Sequence, residues 1–237
     1  MNTLTEHGIL FSAPMVLAIL NTKPGTWPAE PIDPKLPWKW QTRRAVNPQP
    51  RYPIVQGTDD QFYENAGCGS ILIKAPHGPA GRFLWVRETW KPHCEGPISD
   101  EFPLGTCVKY RADGKCIKPT DWTNDEGAWC EAQEESTIWR PSLLMPRWAS
   151  RITLEVKRVR AQRVHDITEE DCLAEGIGKT ECAGGTFFLG APQRIKGTTN
   201  IFPCAKDAYQ DLWTHINGVD SWVANPWVWI YDFMRVK

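Results

Sequence analysis

The sequence predicts a mixed α+β fold, because strand and helix patterns follow one another without the regular alternation of a βαβ protein. Apolar and polar residues alternate from Ile152 to Lys157, and an extension of this strand through Val164 would make it the longest of the chain. Residues 227–236 are apolar on both faces at their start, as expected of a strand that closes a barrel or lies in a central sheet. With two to three helices between the strands, these observations predict a mixed β-barrel with flanking helices.

The N-terminal part contains one short strand, one helix and one irregular segment. Residues 9–11 form a strand pattern, and Ser12 can cap the helix predicted for residues 15–20. Five prolines between positions 24 and 38 exclude regular structure there. Residues 39–46 then continue with charged and polar side chains.

A single domain spanning residues 1–237 is expected, with strands at 83–87 and 107–111. Long irregular loops interrupt it where glycine, proline and polar residues lack periodicity. We expect these loops at about residues 22–38, 48–80, 113–137 and 178–205.

Two further helices are predicted in the C-terminal half. Thr168 precedes a run of acidic residues that suits the positive end of a helix dipole, and Gly176 can end that helix. The second helix has apolar side chains at amphipathic spacing and ends before Gly218. Its apolar positions are Tyr209, Leu212, Trp213 and Ile216.

Composition limits the possible partners. The formal net charge is −1, so any attraction to polyanions must come from a local patch. One basic segment allows either a solvated strand surface or phosphate contacts. It consists of Arg147, Arg151, Lys157, Arg158, Arg160 and Arg163. The 13 tryptophans favour a core of large rings, with a few available for stacking on bases.

No segment is apolar enough to span a bilayer, and the N-terminus lacks the features of a signal peptide, so we expect a cytoplasmic protein with no membrane partner. The eight cysteines are then mainly reduced thiols. A subset with one histidine fits no compact zinc spacing, and neither a metal nor another cofactor is expected. This subset is His93, Cys94, Cys107, Cys116 and Cys130.

Seven short phrases, in this order along the chain, resemble the ASCH family, in particular its larger bacterial and prophage members. They are PMVLAIL at 14–20, QTRR at 41–44, LWVRETW at 84–90, YRAD at 110–113, WRPS at 139–142, MPRWASR at 145–151 and NPWVW at 225–229. The resemblance implies a PUA-like β-barrel with a polar cleft, a fold associated with RNA and with modified bases. RNA, single-stranded DNA or a modified nucleoside are the partners that it implies.

One branch of that family comprises amidohydrolases that remove the acetyl group of N4-acetylcytidine. Their motif of Lys, Thr and Arg is matched by Lys39, Thr42 and Arg44, and Glu175 stands where their catalytic Glu follows a short acidic helix. The resemblance therefore implies Thr42 as nucleophile, Lys39 as base and Glu175 as acid. In a regular strand Lys39 and Thr42 would point to opposite faces, so the mechanism requires a bend between them.

Other residues are candidates for ligand binding. Arg43 and Arg44 can contact phosphate or form ion pairs with an acid such as Glu88, and a structural pair is the favoured role of Glu88. Trp40 and Trp90 can stack on a base where they are exposed, although core packing is the default for Trp90. Arg147 and Arg151, in the basic segment, complete the expected binding residues.

Three functions agree with the sequence. The first is a module that binds nucleic acid or a modified nucleoside, and the second is an amidohydrolase acting on an N4-acylated cytidine. The third is a phage accessory protein that modulates a host protein through long loops rich in Trp and Pro. Salt-dependent affinity for nucleic acid would favour the first function, and turnover abolished by Thr42→Ala would favour the second.

Overall fold

A computed structural model describes residues 6–59, 61–67, 69–94, 106–117, 138–182, 184–192 and 199–237. The chain divides into two compact units that interleave along the sequence. Unit one comprises Met1–Leu17, Phe83–Leu154 and Val236–Lys237, and unit two comprises Ala18–Arg82 and Glu155–Arg235.

In chain order, the strands and helices of the described residues are β1 (His7–Leu10), α1 (Ala13–Leu20), β2 (Gln41–Ala45), β3 (Ile54–Gln56), β4 (Phe62–Asn65), β5 (Ser70–Ile73), β6 (Phe83–Arg87), β7 (Trp90–Cys94), β8 (Thr106–Tyr110), β9 (Cys116–Ile117), β10 (Thr153–Arg163), α2 (Glu169–Ala174), β11 (Gly178–Cys182), β12 (Gly185–Pro192), β13 (Thr199–Phe202), α3 (Ala205–Asn217), α4 (Asp220–Val223) and β14 (Trp227–Arg235).

Unit one is built on a parallel pair and an antiparallel sheet. Strand β1 runs parallel to β6, and β7, β8 and β9 form a three-stranded antiparallel sheet. The antiparallel sheet carries a small core of Trp90, Val108, Tyr110, Met145 and Ala149, with Trp148 packed against it. The Trp90 and Trp148 rings meet edge to face with their centroids 5.7 Å apart.

In unit two, strands β10, β14 and β2 are neighbours in that order. Strands β14 and β2 pair antiparallel, with Tyr231 opposite Thr42 and Asp232 opposite Gln41. Helices α2, α3 and α4 contribute Cys172, Tyr209 and Trp222 to a core that also contains residues of β14. Burial of these aromatic and aliphatic side chains is the main stabilising contribution to the unit.

The predicted α+β class is confirmed, and the predicted barrel is not: no sheet formed by the described residues closes on itself. Four α-helices replace the two to three expected, because the four-residue helix α4 is too short to show a period. Of these helices none is long and apolar enough to cross a membrane, as far as the chain is described.

Two segments expected to be irregular loops, 48–80 and 178–205, contain the antiparallel sheets β3–β4–β5 and β11–β12–β13. Most of these strands have only three to five residues, too few for alternation to stand out from the surrounding polar residues. Gly67 and Gly184 adopt positive φ in the hairpin turns, a conformation that favours glycine. These glycines therefore lie between strands. Residues 22–38 contain neither helix nor strand, as expected. The described part of the loop predicted at 113–137 contains the short strand β9, and residues 118–137 lie outside the described residues.

Candidate functional site

Within unit two, helix α2 and its C-cap residue carry two carboxylates, Asp171 and Glu175. The Thr168 side chain caps the helix by accepting a hydrogen bond from the Asp171 backbone N–H at 3.2 Å. Asp171 and Glu175 are four residues apart, so both side chains lie on one helix face. Gly176 ends the helix at φ +95°, a conformation that residues with a side chain rarely adopt. The turn therefore needs glycine for its conformation.

Lys39 is fully buried, with none of its surface exposed, and forms an ion pair with Glu175. Its backbone N–H donates to the Ala18 carbonyl and the next N–H donates to the Ala174 carbonyl, which fixes the chain just before β2. The Lys39 Nζ donates to Glu175 Oε2 at 2.6 Å and to the Glu175 backbone carbonyl at 2.8 Å. Burial lowers the pKa of Lys39, and the Glu175 carboxylate opposes this effect without cancelling it.

Gln41 and Arg43 lie on the same face of β2 and connect the two carboxylates of α2. Arg43 Nη2 donates to Asp171 Oδ2 at 2.7 Å, and its Nη1 donates to Glu175 Oε1 at 3.3 Å and to the Gln41 side-chain carbonyl. Burial would lower the pKa of Arg43, but the charges of Glu175 and Asp171 outweigh it and raise that pKa. Arg43 therefore stays protonated inside the unit.

Asp232, the acid in the middle of apolar strand β14, extends this arrangement to β10. It is fully buried, and its carboxylate accepts from Gln41 Nε2 at 2.7 Å, Arg158 Nε at 2.7 Å and Arg160 Nη2 at 3.3 Å. Arg160 Nη2 also lies 3.4 Å from Asp171 Oδ1. Since the Arg158 side chain is 57% exposed, the arrangement reaches from solvent to the buried Lys39.

We call this connected set the charge network. It consists of Lys39, Gln41, Arg43, Arg158, Arg160, Asp171, Glu175 and Asp232. Four cations face three carboxylates in it, and the half-buried Arg44 adds a further positive charge that interacts with Glu175. The network therefore carries more positive than negative charge, which favours an anionic or electron-rich ligand.

Thr42 is placed differently from the other residues of the predicted catalytic motif. Strand alternation directs its side chain away from the face of Gln41 and Arg43, and only 3% of the residue is exposed. In the described part of the chain, no hydrogen bond joins its hydroxyl to Lys39 or Glu175. However, β2 begins at Gln41, so Lys39 lies outside the strand and the two residues are not in one straight strand.

The remaining predicted site residues are not members of the charge network. Trp40 is half-buried and packs edge to face against Trp27, which is 40% exposed, with ring centroids 5.5 Å apart. Trp90 is only 1% exposed in the core of unit one, so stacking on a base would require that packing to open. Arg147 forms an exposed bidentate pair with Glu6.

Glu88 and Arg151 form a second charged cluster, in unit one. Arg151 donates to both oxygens of Glu88 at 2.8 and 2.9 Å and to Asp113 Oδ2 at 2.8 Å, and its guanidinium lies 4.0 Å from the centroid of the Tyr110 ring. We call these four residues the Arg151 cluster. Glu88 thus forms a structural ion pair, but its partner is Arg151, whereas the sequence suggested Arg43 or Arg44.

Five members of the charge network were not among the predicted site residues. Two of them, Arg158 and Arg160, were named only as part of the basic segment. Asp171 and Asp232 have signals in the sequence, namely the spacing of four to Glu175 and the isolated acid within an apolar strand. Gln41 has no signal of its own, because its contacts depend on residues 130 and 191 positions away.

The cysteines and histidines offer little to a metal ion. His93 on β7 is opposite Cys107 on β8, and Cys116 on β9 is opposite Lys109. Within the described ranges, no group of three or more His, Cys, Asp or Glu residues is arranged to hold a metal ion. Cys130 lies outside those ranges.

Comparison with known proteins adds no assignment. No family model, no curated protein and no solved structure matches the chain. The interpretation of the charge network therefore depends on its geometry and on the motif residues that lie in it.

Proposed function

We propose that the chain binds a modified nucleoside, free or within RNA or single-stranded DNA, and that the charge network of unit two is the binding site. The observation that carries this proposal is the contact between Lys39 and Glu175. The resemblance to the ASCH family selects these residues independently, from positions 136 apart, and they meet in a buried ion pair. A relation of the fold to PUA-like barrels is part of the same proposal.

The energetics of the charge network favour a functional role. Moving charges out of water costs several kcal/mol for each ion, and well-packed apolar residues often replace buried pairs without loss of stability. Perturbed ionisable groups also concentrate at functional sites. A network with an excess of cations and a lysine of lowered pKa is therefore better explained by ligand binding than by stability alone.

The chemistry of a nucleoside matches the donors that the network provides. The carbonyl oxygens and ring nitrogens of a base accept hydrogen bonds from guanidinium and ammonium groups. Next to Lys39 along the chain, Trp40 and the partly exposed Trp27 form an aromatic pair on which a base can stack. Charge and aromatic surface together favour a nucleobase over a simple phosphate ion.

A second candidate function, hydrolysis of an N4-acyl amide, is favoured by the lowered pKa of Lys39. A lysine must be neutral to accept a proton, and burial moves Lys39 in that direction. In the proposed reaction, Lys39 takes the proton of the Thr42 hydroxyl, and the hydroxyl oxygen attacks the acyl carbon. Glu175, which carries the proton of the Lys39–Glu175 pair when Lys39 is neutral, protonates the departing N4 amine, and water then releases the acid from the Thr42 ester. This step requires the Thr42 hydroxyl to turn towards Lys39.

Binding is tested by titrating N4-acetylcytidine and cytidine into the protein and following tryptophan fluorescence. The expected result is tighter binding of the acetylated nucleoside, weakened at least tenfold by Lys39→Met and by Glu175→Gln. Lys23→Met is the matched control, since Lys23 and Glu30 form an exposed pair of the same type at 2.8 Å. If K39M and K23M are both folded and bind with equal affinity, the charge network is not the binding site.

Hydrolysis is tested separately by chromatography of N4-acetylcytidine incubated with the wild-type protein and with Thr42→Ala. Loss of cytidine release in T42A with binding retained would support the amidohydrolase function. Binding without any release of cytidine would leave the chain as a binding protein.

A further inference from the structure

We infer that Arg158 and Arg160 form a phosphate-binding subsite at the exposed end of the charge network. The ligand class of the site is then a nucleotide unit, in a monophosphate or a polynucleotide, rather than a free nucleoside. This inference rests on the proposed function, because the same network holds the base at its buried end.

The members of the basic segment predicted from the sequence have different partners in the structure. Four of the six contact groups outside the charge network. Arg147 pairs with Glu6, Arg151 with Glu88 and Asp113, and Lys157 with Glu155, while Arg163 donates to the Asn225 carbonyl and covers the Trp227 ring. Arg158 and Arg160 lie two residues apart on β10 and pair with Asp171 and Asp232 of the charge network.

The Arg158 guanidinium is fixed by one hydrogen bond and is otherwise exposed to solvent. Its Nε donates to the buried Asp232 carboxylate at 2.7 Å, while more than half of the side chain is exposed. Its two terminal amino groups donate to no residue in the part of the chain that the structure describes. A guanidinium fixed through Nε with free amino groups is already oriented for an incoming anion, which lowers the entropy cost of binding.

Arg160 is only partly satisfied. Its two contacts, to Asp171 and Asp232, are long at 3.4 and 3.3 Å and both use Nη2. Its Nε is buried and has no hydrogen-bond partner among the described residues. Because an unpaired buried donor is costly, this side chain gains from an acceptor that approaches it.

The spacing of the two arginines fits a phosphate group. Residues two apart on a strand point to the same face, with their Cα atoms roughly 7 Å apart. Two guanidinium groups at this separation can converge on the oxygens of one phosphate. The nearby carboxylate does not prevent this, since Asp232 is buried and each of its oxygens already accepts a hydrogen bond.

The test compares the affinities of N4-acetylcytidine, its 5′-monophosphate and cytidine 5′-monophosphate, measured by calorimetry. For the wild-type protein, each monophosphate should bind at least tenfold more tightly than its parent nucleoside. Arg158→Gln and Arg160→Gln should lower this ratio towards one, and Arg158→Lys should recover part of it because it keeps the charge. Lys157→Gln is the matched control, since it removes a neighbouring cation that is paired with Glu155, and it should leave the ratio unchanged.

A second measurement uses the salt dependence of binding to a short single-stranded oligonucleotide. Removal of one phosphate contact should reduce the slope of log affinity against log salt by about 0.7 in R158Q, and K157Q should retain the wild-type slope. Thermal melting of each variant verifies that it is folded, and R158K serves if R158Q is not.

The possible outcomes separate the inference from the proposed function. Equal binding of nucleoside and monophosphate by the wild-type protein overturns the phosphate subsite and leaves the proposed function in place. Binding of cytidine monophosphate that depends on Arg158, without preference for the acetylated base, supports the subsite and contradicts recognition of the modification. Failure to bind any of these ligands overturns both.

Discussion

The two charged clusters of the molecule differ in how completely their members are paired. In the Arg151 cluster, all three guanidinium nitrogens of Arg151 donate to carboxylate oxygens, and the Tyr110 ring covers one face. In the charge network, cations outnumber carboxylates, and Nε of Arg43 and Nε of Arg160 are buried without a hydrogen-bond partner among the described residues. All guanidinium nitrogens of the first cluster are therefore paired, whereas the second contains donors that have no partner among the described residues.

This difference indicates different roles. A closed cluster of buried charges keeps the surrounding chain in one arrangement, and its loss affects folding. A network with spare donors and an exposed end can accept a ligand without breaking its own contacts. The sequence suggested candidate residues in both clusters, so the state of their partners, and not their residue type, distinguishes the two.

The largest effect on stability is expected in the Arg151 cluster. Arg151→Met leaves Glu88 buried without its cation, and removal of one partner of a buried pair costs about 3–5 kcal/mol. Burial already raises the pKa of Glu88 against the opposing effect of Arg151, so the carboxyl in the variant takes up a proton more readily. Urea unfolding measures the loss. Wild-type stability combined with lost nucleoside binding would show that this cluster is the site instead.

A smaller loss is expected when both partners of the buried lysine pair are removed. Lys39→Met and Glu175→Leu each leave one charge buried without this partner, whereas the double variant leaves neither. The double variant should therefore be less destabilised than the sum of the two single variants, by about 1–3 kcal/mol. Unfolding measurements on all four proteins give this coupling energy. Additive effects would mean that Lys39 and Glu175 do not act as a pair.

Acidification should weaken the charge network through Asp171. Burial favours a higher pKa for this carboxyl, but Arg43, Gln41 and Arg160 together lower it below its usual value. The unfolded chain then binds the proton more tightly, so stability present above about pH 4 is lost as pH falls through the lower folded value. Asp171→Asn should show a smaller decrease in unfolding free energy between about pH 6 and about pH 3 than the wild-type protein. An identical decrease in both proteins would exclude Asp171 as a source of acid sensitivity.

The smallest effect is expected for the exposed pair of Lys23 and Glu30. Both side chains are more than half exposed, so solvent screens their attraction. Lys23→Met should change neither the unfolding free energy nor the affinity for a nucleoside. A marked loss of affinity in this variant would extend the site to the proline-rich segment before β2.

Sequence patterns predicted the elements in which a periodic pattern extends over many residues, and they missed the shorter elements. Strand β10 and helices α1, α2 and α3 follow from alternation, capping and amphipathic spacing. The sheets β3–β4–β5 and β11–β12–β13 are made mostly of very short strands, in which turn residues dominate the pattern. Propensity cannot show these strands, since cross-strand packing decides them.

The sequence predicted only part of the charge network, and the reason differs from that for the short strands. Lys39 and Glu175 were identified by resemblance to a motif, but other members of the network lie on strands that are distant in sequence. The contacts of Asp232 with Gln41 and Arg158 exist because β14 lies between β2 and β10, an order that no local pattern encodes. For the same reason, the basic segment alone did not show which two of its arginines contact Asp232.

The most direct test of the central claim is a titration of N4-acetylcytidine into three proteins that differ by one side-chain amide. They are the wild-type protein, Glu175→Gln in the charge network and Glu88→Gln in the Arg151 cluster. Both variants replace a carboxylate by an amide, so they differ only in the cluster that is changed. With all three folded, binding should be lost in E175Q and retained in E88Q. Retention in E175Q together with loss in E88Q would contradict the assignment of the ligand site to the charge network.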